Sequence, residues 1–74
     1  MLVQQWKDEV VDAVKESGST WTAFSAECDQ KSTACFADFA RIGKKVKRVT
    51  LSLDEFQTPE ARKAEIIRQL AATE

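Results

Sequence analysis

The chain has 74 residues, of which 43% are hydrophobic and 31% are charged, and its 11 Lys and Arg residues nearly balance its 12 Asp and Glu residues. This length predicts one small domain over residues 1–74, and the net charge of −1 excludes a field over the whole molecule that would attract nucleic acid or an anionic membrane. No apolar run approaches about 18 residues and no basic leader precedes an apolar segment, so we expect a cytoplasmic protein without a membrane partner or a secretory signal.

The first segment is predicted to be an amphipathic helix. Its apolar residues recur at the spacing of one helical face, at Leu2, Val3, Trp6, Val10, Val11, Ala13 and Val14. The helix is expected to end at Ser17-Gly18-Ser19, where the glycine can adopt the left-handed conformation that closes many helices. The face with Trp6 is either core or a dimer seam, and core is favoured because a domain of this size has little apolar area to spare.

Two further short helices are predicted next. In the first, which Ser19 or Thr20 can cap, the residues Trp21, Phe24 and Cys28 recur at spacings of three and four. The second is expected to start at Ser32 or Thr33, to bury Phe36, Phe39 and Ala40, and to end at Gly43. A rival interpretation makes residues 21–28 and 34–40 the arms of a β-hairpin. Helices are preferred because the alternation is poor and alanine is abundant.

The segment from Val46 to Leu53 has the two-residue period of a strand with one buried face. Its expected pairing partner is an extended piece near residues 18–22 or the same strand of a second chain, so a homodimer is possible. A final helix is predicted from Thr58-Pro59 to about Ala72, with a capping residue followed by proline at the first helical position. The predicted fold class is therefore mainly α: three short helices, one strand and a C-terminal helix.

The two cysteines, Cys28 and Cys35, lie seven residues apart. A disulfide between them is geometrically possible, but two small buried hydrophobic side chains are the favoured interpretation for a chain without a secretion signal. A structural zinc site needs four ligands, and the sequence has no histidine and no further cysteine. We therefore predict no cofactor and no metal, unless two chains share a zinc ion.

Part of this region resembles a known DNA-binding motif. Thr22-Ala23, followed by Ala26, Cys28, Gln30, Lys31 and Phe36, is similar to the helix-turn-helix unit of small phage regulators of the Cro and cII type. The resemblance implies a helix-turn-helix-like fold that binds double-stranded DNA. It also implies groove contacts from the residues that begin the second helix of the unit, Gln30, Lys31, Ser32 and Thr33.

A basic cluster follows directly, with five positive charges in eight residues and no acidic residue among them: Arg41, Lys44, Lys45, Lys47 and Arg48. On a loop or wing beside a recognition helix, these side chains are predicted to contact DNA phosphates. The alternative is that the lysines protect an edge strand from pairing with other chains.

The end of the chain has a second resemblance. KRVTLSLDEF followed by RKAEIIRQLA is similar to the ribbon-helix-helix repressors, in which a strand from each of two chains forms the ribbon that reads DNA. That pattern requires two helices after the strand with a glycine-containing turn between them. Only about twenty residues follow Leu53, and none of them is glycine, so the helix count of this family is not met.

These observations predict a small DNA-binding transcriptional regulator. The alternative is a phage or mobile-element protein that binds and inhibits a host protein such as the transcription or defence machinery, with Trp6 or Trp21 as its interface anchor if exposed. The acidic residues of the first helix could face a basic partner, although a solvated face is favoured for Asp8, Glu9, Asp12 and Glu16. An enzyme is not predicted, because histidine is absent, the cysteines lack an imidazole partner and there is no glycine-rich phosphate loop.

Overall fold

The computed structural model describes residues 3–29, 31 and 33–72. In chain order they form helix α1, strands β1, β2 and β3, and helix α2, over Val3–Ser17, Thr22–Cys28, Ala34–Ala40, Lys47–Ser52 and Pro59–Ala71. The strands form one antiparallel sheet in the order β1-β2-β3, so that each strand is joined to the next by a hairpin connection. None of the described helices is both long enough and apolar enough to cross a bilayer.

The prediction of a mainly α fold is wrong, because the two middle segments are strands and not helices. In β2 the burial alternates strictly, with Cys35, Ala37 and Phe39 inside. In β1 the register shifts between Ala23 and Ser25, so one extra residue reverses the phase of the alternation midway along the strand. That bulge hides the two-residue period from the sequence. The rival β-hairpin interpretation was therefore the correct one.

The remaining element predictions are confirmed, apart from the pairing of the last strand. Helix α1 ends before Gly18, which has a φ of 65°. Strand β3 pairs with β2 from Phe39↔Lys47 to Ala34↔Ser52, and not with residues 18–22. Helix α2 begins after Thr58, whose side chain accepts a hydrogen bond from the Ala61 amide at 3.1 Å. This is a standard N-cap followed by proline.

The core lies between one face of the sheet and the two helices. Helix α1 packs on β1, helix α2 packs on β3, and the helices contact each other. The helices contribute Trp6, Val10, Ala13, Ile66 and Leu70, and the strands contribute Ala26, Cys35, Ala37, Phe39, Val49 and Leu51. Trp6 is thus part of the core of a single chain, as favoured. The opposite face of the sheet carries mostly polar and small side chains.

A buried ion pair joins the two helices. The Arg62 guanidinium donates to both carboxylate oxygens of Glu9, from Nε at 2.5 Å and from Nη2 at 2.8 Å, and Nη1 donates to the Phe56 carbonyl at 3.1 Å. Bonding to Glu9 raises the pKa of Arg62. Glu16 pairs with Lys63 at 3.2 Å. The prediction that these acids form a solvated face is wrong for Glu9, because its partner lies on α2, 53 residues later.

A disulfide joins the first two strands. Cys28 and Cys35 are directly opposite each other in the register of β1 and β2, with their Cα atoms 3.9 Å apart, and their sulfur atoms are bonded. The favoured interpretation of two separate buried thiols is therefore wrong. It failed because the assumed helices gave no reason for the two residues to be opposite.

Removing the disulfide should lower the free energy of unfolding by about 2–3 kcal/mol, the chain-entropy value for a loop this short. The change to make is Cys28→Ser together with Cys35→Ala, measured by urea unfolding. Wild-type protein reduced with dithiothreitol is the matched control, because it breaks the bond without changing the packing atoms. Equal unfolding midpoints for the oxidised and reduced wild type would contradict this expectation.

Candidate nucleic-acid interface

The basic cluster lies around the connection between β2 and β3. Arg41 follows the last residue of β2, Lys47 begins β3 opposite Phe39, and Arg48 is opposite Asp38. The hairpin therefore brings all five predicted cations to one end of the sheet. Their side chains nevertheless point in different directions. Arg41 and Arg48 contact other side chains of the domain, and Lys44, Lys45 and Lys47 form a separate group.

Arg48 lies on the sheet face away from the helices, where Asp38 holds it. Its Nε donates to Asp38 Oδ1 at 2.8 Å and its Nη2 donates to Oδ2 at 3.1 Å. The guanidinium also covers the ring of Phe36, 4.3 Å from the centroid. The hydrogen bond from Arg48 is the main cause that lowers the pKa of Asp38. Because the carboxylate cancels its charge, Arg48 orients the hairpin and adds little to an anion-binding surface.

Arg41 is turned back against the body of the domain. Its guanidinium lies 4.9 Å from the centroid of the Trp21 ring, and its Nη1 donates to Thr20 Oγ1 at 3.3 Å. This stacking covers a tryptophan that precedes β1. Arg41 therefore fixes the start of the turn to the connection between α1 and β1.

Lys44, Lys45 and Lys47 make no ion pair with any carboxylate in the described part of the chain. Lys44 and Lys45 are exposed, and Lys47 is half-buried. The Lys44 amide donates to the Arg41 carbonyl at 3.0 Å, and Gly43 has a φ of 79°, as at the third position of a type II turn. The hydrogen-bonded turn is thus followed by two exposed lysines, Lys44 and Lys45, and by the half-buried Lys47 at the start of β3; within the described residues none of the three has a carboxylate partner.

Of the other predicted contacts, Lys31 and Thr33 lie at the opposite end of β2. Gln30 and Ser32 are outside the described residues, and Lys31 is exposed in the β1–β2 connection. Thr33 donates from its amide and its hydroxyl to the Asp29 carboxylate at 2.8 and 2.7 Å. Strand β2 separates the two groups by roughly 20 Å, at about 3.3 Å per residue. Because Thr22–Cys28 and Ala34–Ala40 are paired strands, the helix-turn-helix-like arrangement is wrong and no recognition helix follows Thr33.

The two tryptophans proposed as partner anchors are in the interior. Trp6 is 0% exposed and Trp21 is 3% exposed. Trp6 Nε1 donates to the Phe36 carbonyl at 2.9 Å, whereas Trp21 Nε1 has no hydrogen-bond partner among the described residues. Neither side chain meets the condition of exposure that an interface anchor requires.

A groove between α1 and β1 was not predicted. It has a volume of about 610 Å³, and its rim carries the exposed apolar side chains Val3, Val11 and Phe24. Val11 lies beside the stripe of α1 that packs in the core, and Phe24 occupies the bulge of β1. Sequence reasoning placed both residues on buried helical faces, so it could not identify this surface.

Comparison with protein-family models finds no match to the chain. Comparisons with curated proteins and with solved structures also find no match.

Proposed function

We propose that this domain is a small DNA-binding protein that contacts the phosphates of double-stranded DNA through the β2–β3 turn. The observation that supports the proposal is the close spacing of three lysines that have no carboxylate partner among the described residues, Lys44, Lys45 and Lys47. The rest of the chain carries 8 Lys and Arg residues against 12 Asp and Glu residues, so attraction to a polyanion depends on local clustering. A regulatory effect on transcription would follow from occupation of the DNA.

The lysines at the turn can provide affinity for DNA with little recognition of the base sequence. Lysine ammonium groups neutralise phosphates and release counterions, which makes binding fall with salt, while base reading requires side chains that reach the groove edges. Arg41 and Arg48, the residues best suited to bidentate contacts with bases, are held by Trp21 and Asp38. We therefore propose binding of low sequence specificity, oriented by the two arginines.

Replacing the lysines at the turn should change the salt dependence of DNA binding. With three phosphate contacts, log K against log salt should have a slope of about −2.7, and Lys44→Ala with Lys45→Ala should reduce it to about −0.9. Fluorescence anisotropy with a random duplex at several salt concentrations measures both slopes. Lys7→Ala with Lys31→Ala is the matched control, because it removes the same charge away from the turn and should leave the slope near the wild-type value.

Equal slopes for the wild type and the Lys44→Ala, Lys45→Ala variant would show that the assigned phosphate surface is wrong. Absence of binding below about 100 μM, the weak end of ordinary non-specific affinities, would contradict the DNA-binding proposal itself. Double-stranded RNA should be included as a probe, because lysine contacts alone respond to charge and not to the sugar.

A protein partner is the second candidate function, and the α1–β1 groove favours it. Strand β1 is at the edge of the sheet, so its outer backbone groups can accept an added strand. The exposed side chains Val3, Val11 and Phe24 would then contact apolar residues of an extended segment of a host protein. This inhibitory or adaptor role becomes the leading proposal if the duplex does not bind. Phe24→Ser changes a side chain outside the core. If this variant no longer captures a host protein that the wild type captures, the inhibitory or adaptor role is supported.

A further inference from the structure

Ile42 is the most exposed of the large hydrophobic residues in the described ranges, with a relative exposure of 102%. It occupies the second position of the Arg41–Lys44 turn, which the hydrogen bond from the Lys44 amide and the positive φ of Gly43 fix. The side chain is therefore held at the corner of the hairpin, with no contact to the core. Val46, later in the same connection, is 62% exposed.

The fold does not require isoleucine at this position. The second position of a type II turn tolerates most residues and favours proline, and the Ile42 side chain contributes no buried area in the free protein. Two exposed lysines, Lys44 and Lys45, follow directly after the corner. A rigid apolar corner followed by lysines is suited to a polyanion that has an apolar interior.

We propose that Ile42 acts as an apolar wedge that enters the minor groove and inserts between base pairs, so that the bound duplex is kinked. Lys44, Lys45 and Lys47 would neutralise the phosphates that flank the insertion. This inference rests on the proposed DNA-binding function and names the form of nucleic acid that the turn prefers. Isoleucine is among the side chains that unstack a base step in this way, and kinks of about 20–90° accompany such insertion.

The shape of the turn favours duplex DNA over the other polyanionic surfaces. The minor groove of B-form DNA is only about 6 Å wide, so it admits one corner side chain and excludes the two-stranded arm behind it. The minor groove of double-stranded RNA is wide and shallow, so its two walls would not both contact a single side chain. An interfacial membrane anchor uses a broad apolar face, whereas here two apolar side chains stand on one short connection.

The inference can be tested with the full chain and a duplex of about 25 base pairs that carries a central TA step, because pyrimidine–purine steps kink easily. Donor and acceptor dyes on the two ends report bending, and 2-aminopurine beside the step reports unstacking. The proteins to compare are the wild type, Ile42→Ala, and Val46→Ala as a matched loss of an exposed apolar side chain from the same connection. Thermal unfolding confirms that each variant is folded.

Wild type should bend the duplex, raise the 2-aminopurine fluorescence, and bind a duplex with a central gap about tenfold more tightly than an intact one. Ile42→Ala should lose all three effects while it keeps the wild-type salt slope, and Val46→Ala should keep them. Binding by Ile42→Ala with undiminished bending would overturn the wedge and leave the DNA-binding proposal intact. Equal loss in Val46→Ala would overturn the assignment to the corner residue.

Failure of the wild type to bind any duplex would overturn the DNA-binding proposal and the wedge together. In that case vesicles with about one third phosphatidylserine are the next probe, since lysines near a membrane surface are attracted to anionic lipid. Vesicle binding that requires Ile42 would identify the corner as a membrane contact. The affinity and the bending readouts thus separate failure of the proposed function from failure of the wedge.

Discussion

Arg62→Ala should destabilise the protein by about 3–5 kcal/mol, because it leaves the Glu9 carboxylate buried without its partner. Glu9 is 7% exposed and Arg62 is 4% exposed, and two direct hydrogen bonds join them between the helices. A domain of this length is expected to have about 4–11 kcal/mol of stability in total. The variant should therefore be partly or largely unfolded at 25 °C, which far-UV circular dichroism and urea titration would measure.

The pair need not add net stability even though breaking it is costly. Glu9→Leu with Arg62→Met replaces both charges by apolar side chains of similar length, and it should destabilise less than either single alanine variant. Lys63→Ala is the matched control. It breaks the exposed pair with Glu16 between the same two helices, and it should cost about 0.2–1 kcal/mol. A cost for Arg62→Ala no larger than that for Lys63→Ala would show that the pair is solvated in solution.

The sequence predicted those elements whose signals are local. Helix α2 has a capping threonine followed by proline, and α1 has one apolar face and a closing glycine, so both could be located from the sequence. Strand β3 has an uninterrupted two-residue period at Val49 and Leu51. In each case the residues that determine the element lie within a few positions of one another.

The two middle strands could not be predicted in this way. The bulge at Phe24 interrupts the alternation of β1, and apolar residues at positions 21, 24 and 28 then mimic a helical face. In β2 the outward positions carry Ala34, Phe36 and Ala40, which are also apolar, so the two faces differ little in the sequence. Pairing within the sheet decided the conformation against the local propensity.

The candidate interface was predicted in position and not in detail. Five cations within eight residues had to lie close together in any fold, so the location of the cluster followed from the sequence. The separation into held arginines and unpaired lysines depends on the register that places Arg48 opposite Asp38, and on the packing of Arg41 over Trp21. The Glu9–Arg62 pair likewise requires the packing of two helices that are distant in the chain.

The two buried tryptophans should respond differently to the same substitution. Trp6→Phe removes the donor to the Phe36 carbonyl and leaves that partly buried acceptor without this bond, whereas Trp21→Phe removes a buried Nε1 that has no partner among the described residues. Loss of a buried hydrogen bond is destabilising, and loss of an unsatisfied buried donor relieves a desolvation cost. We expect Trp6→Phe to cost roughly 1–2 kcal/mol more than Trp21→Phe in urea unfolding.

The comparison isolates the hydrogen bond because both changes convert a nearly fully buried indole into a phenyl ring. Each leaves a similar gap in the packing, and phenylalanine at position 21 can still stack beneath the Arg41 guanidinium. Both variants therefore lose a similar side-chain volume. The difference between their free energies of unfolding reports the hydrogen bond from Trp6 to β2. Equal destabilisation would mean that Trp21 Nε1 finds a partner in solution, and the indole at position 21 would then be hydrogen-bonded to water or to a mobile side chain.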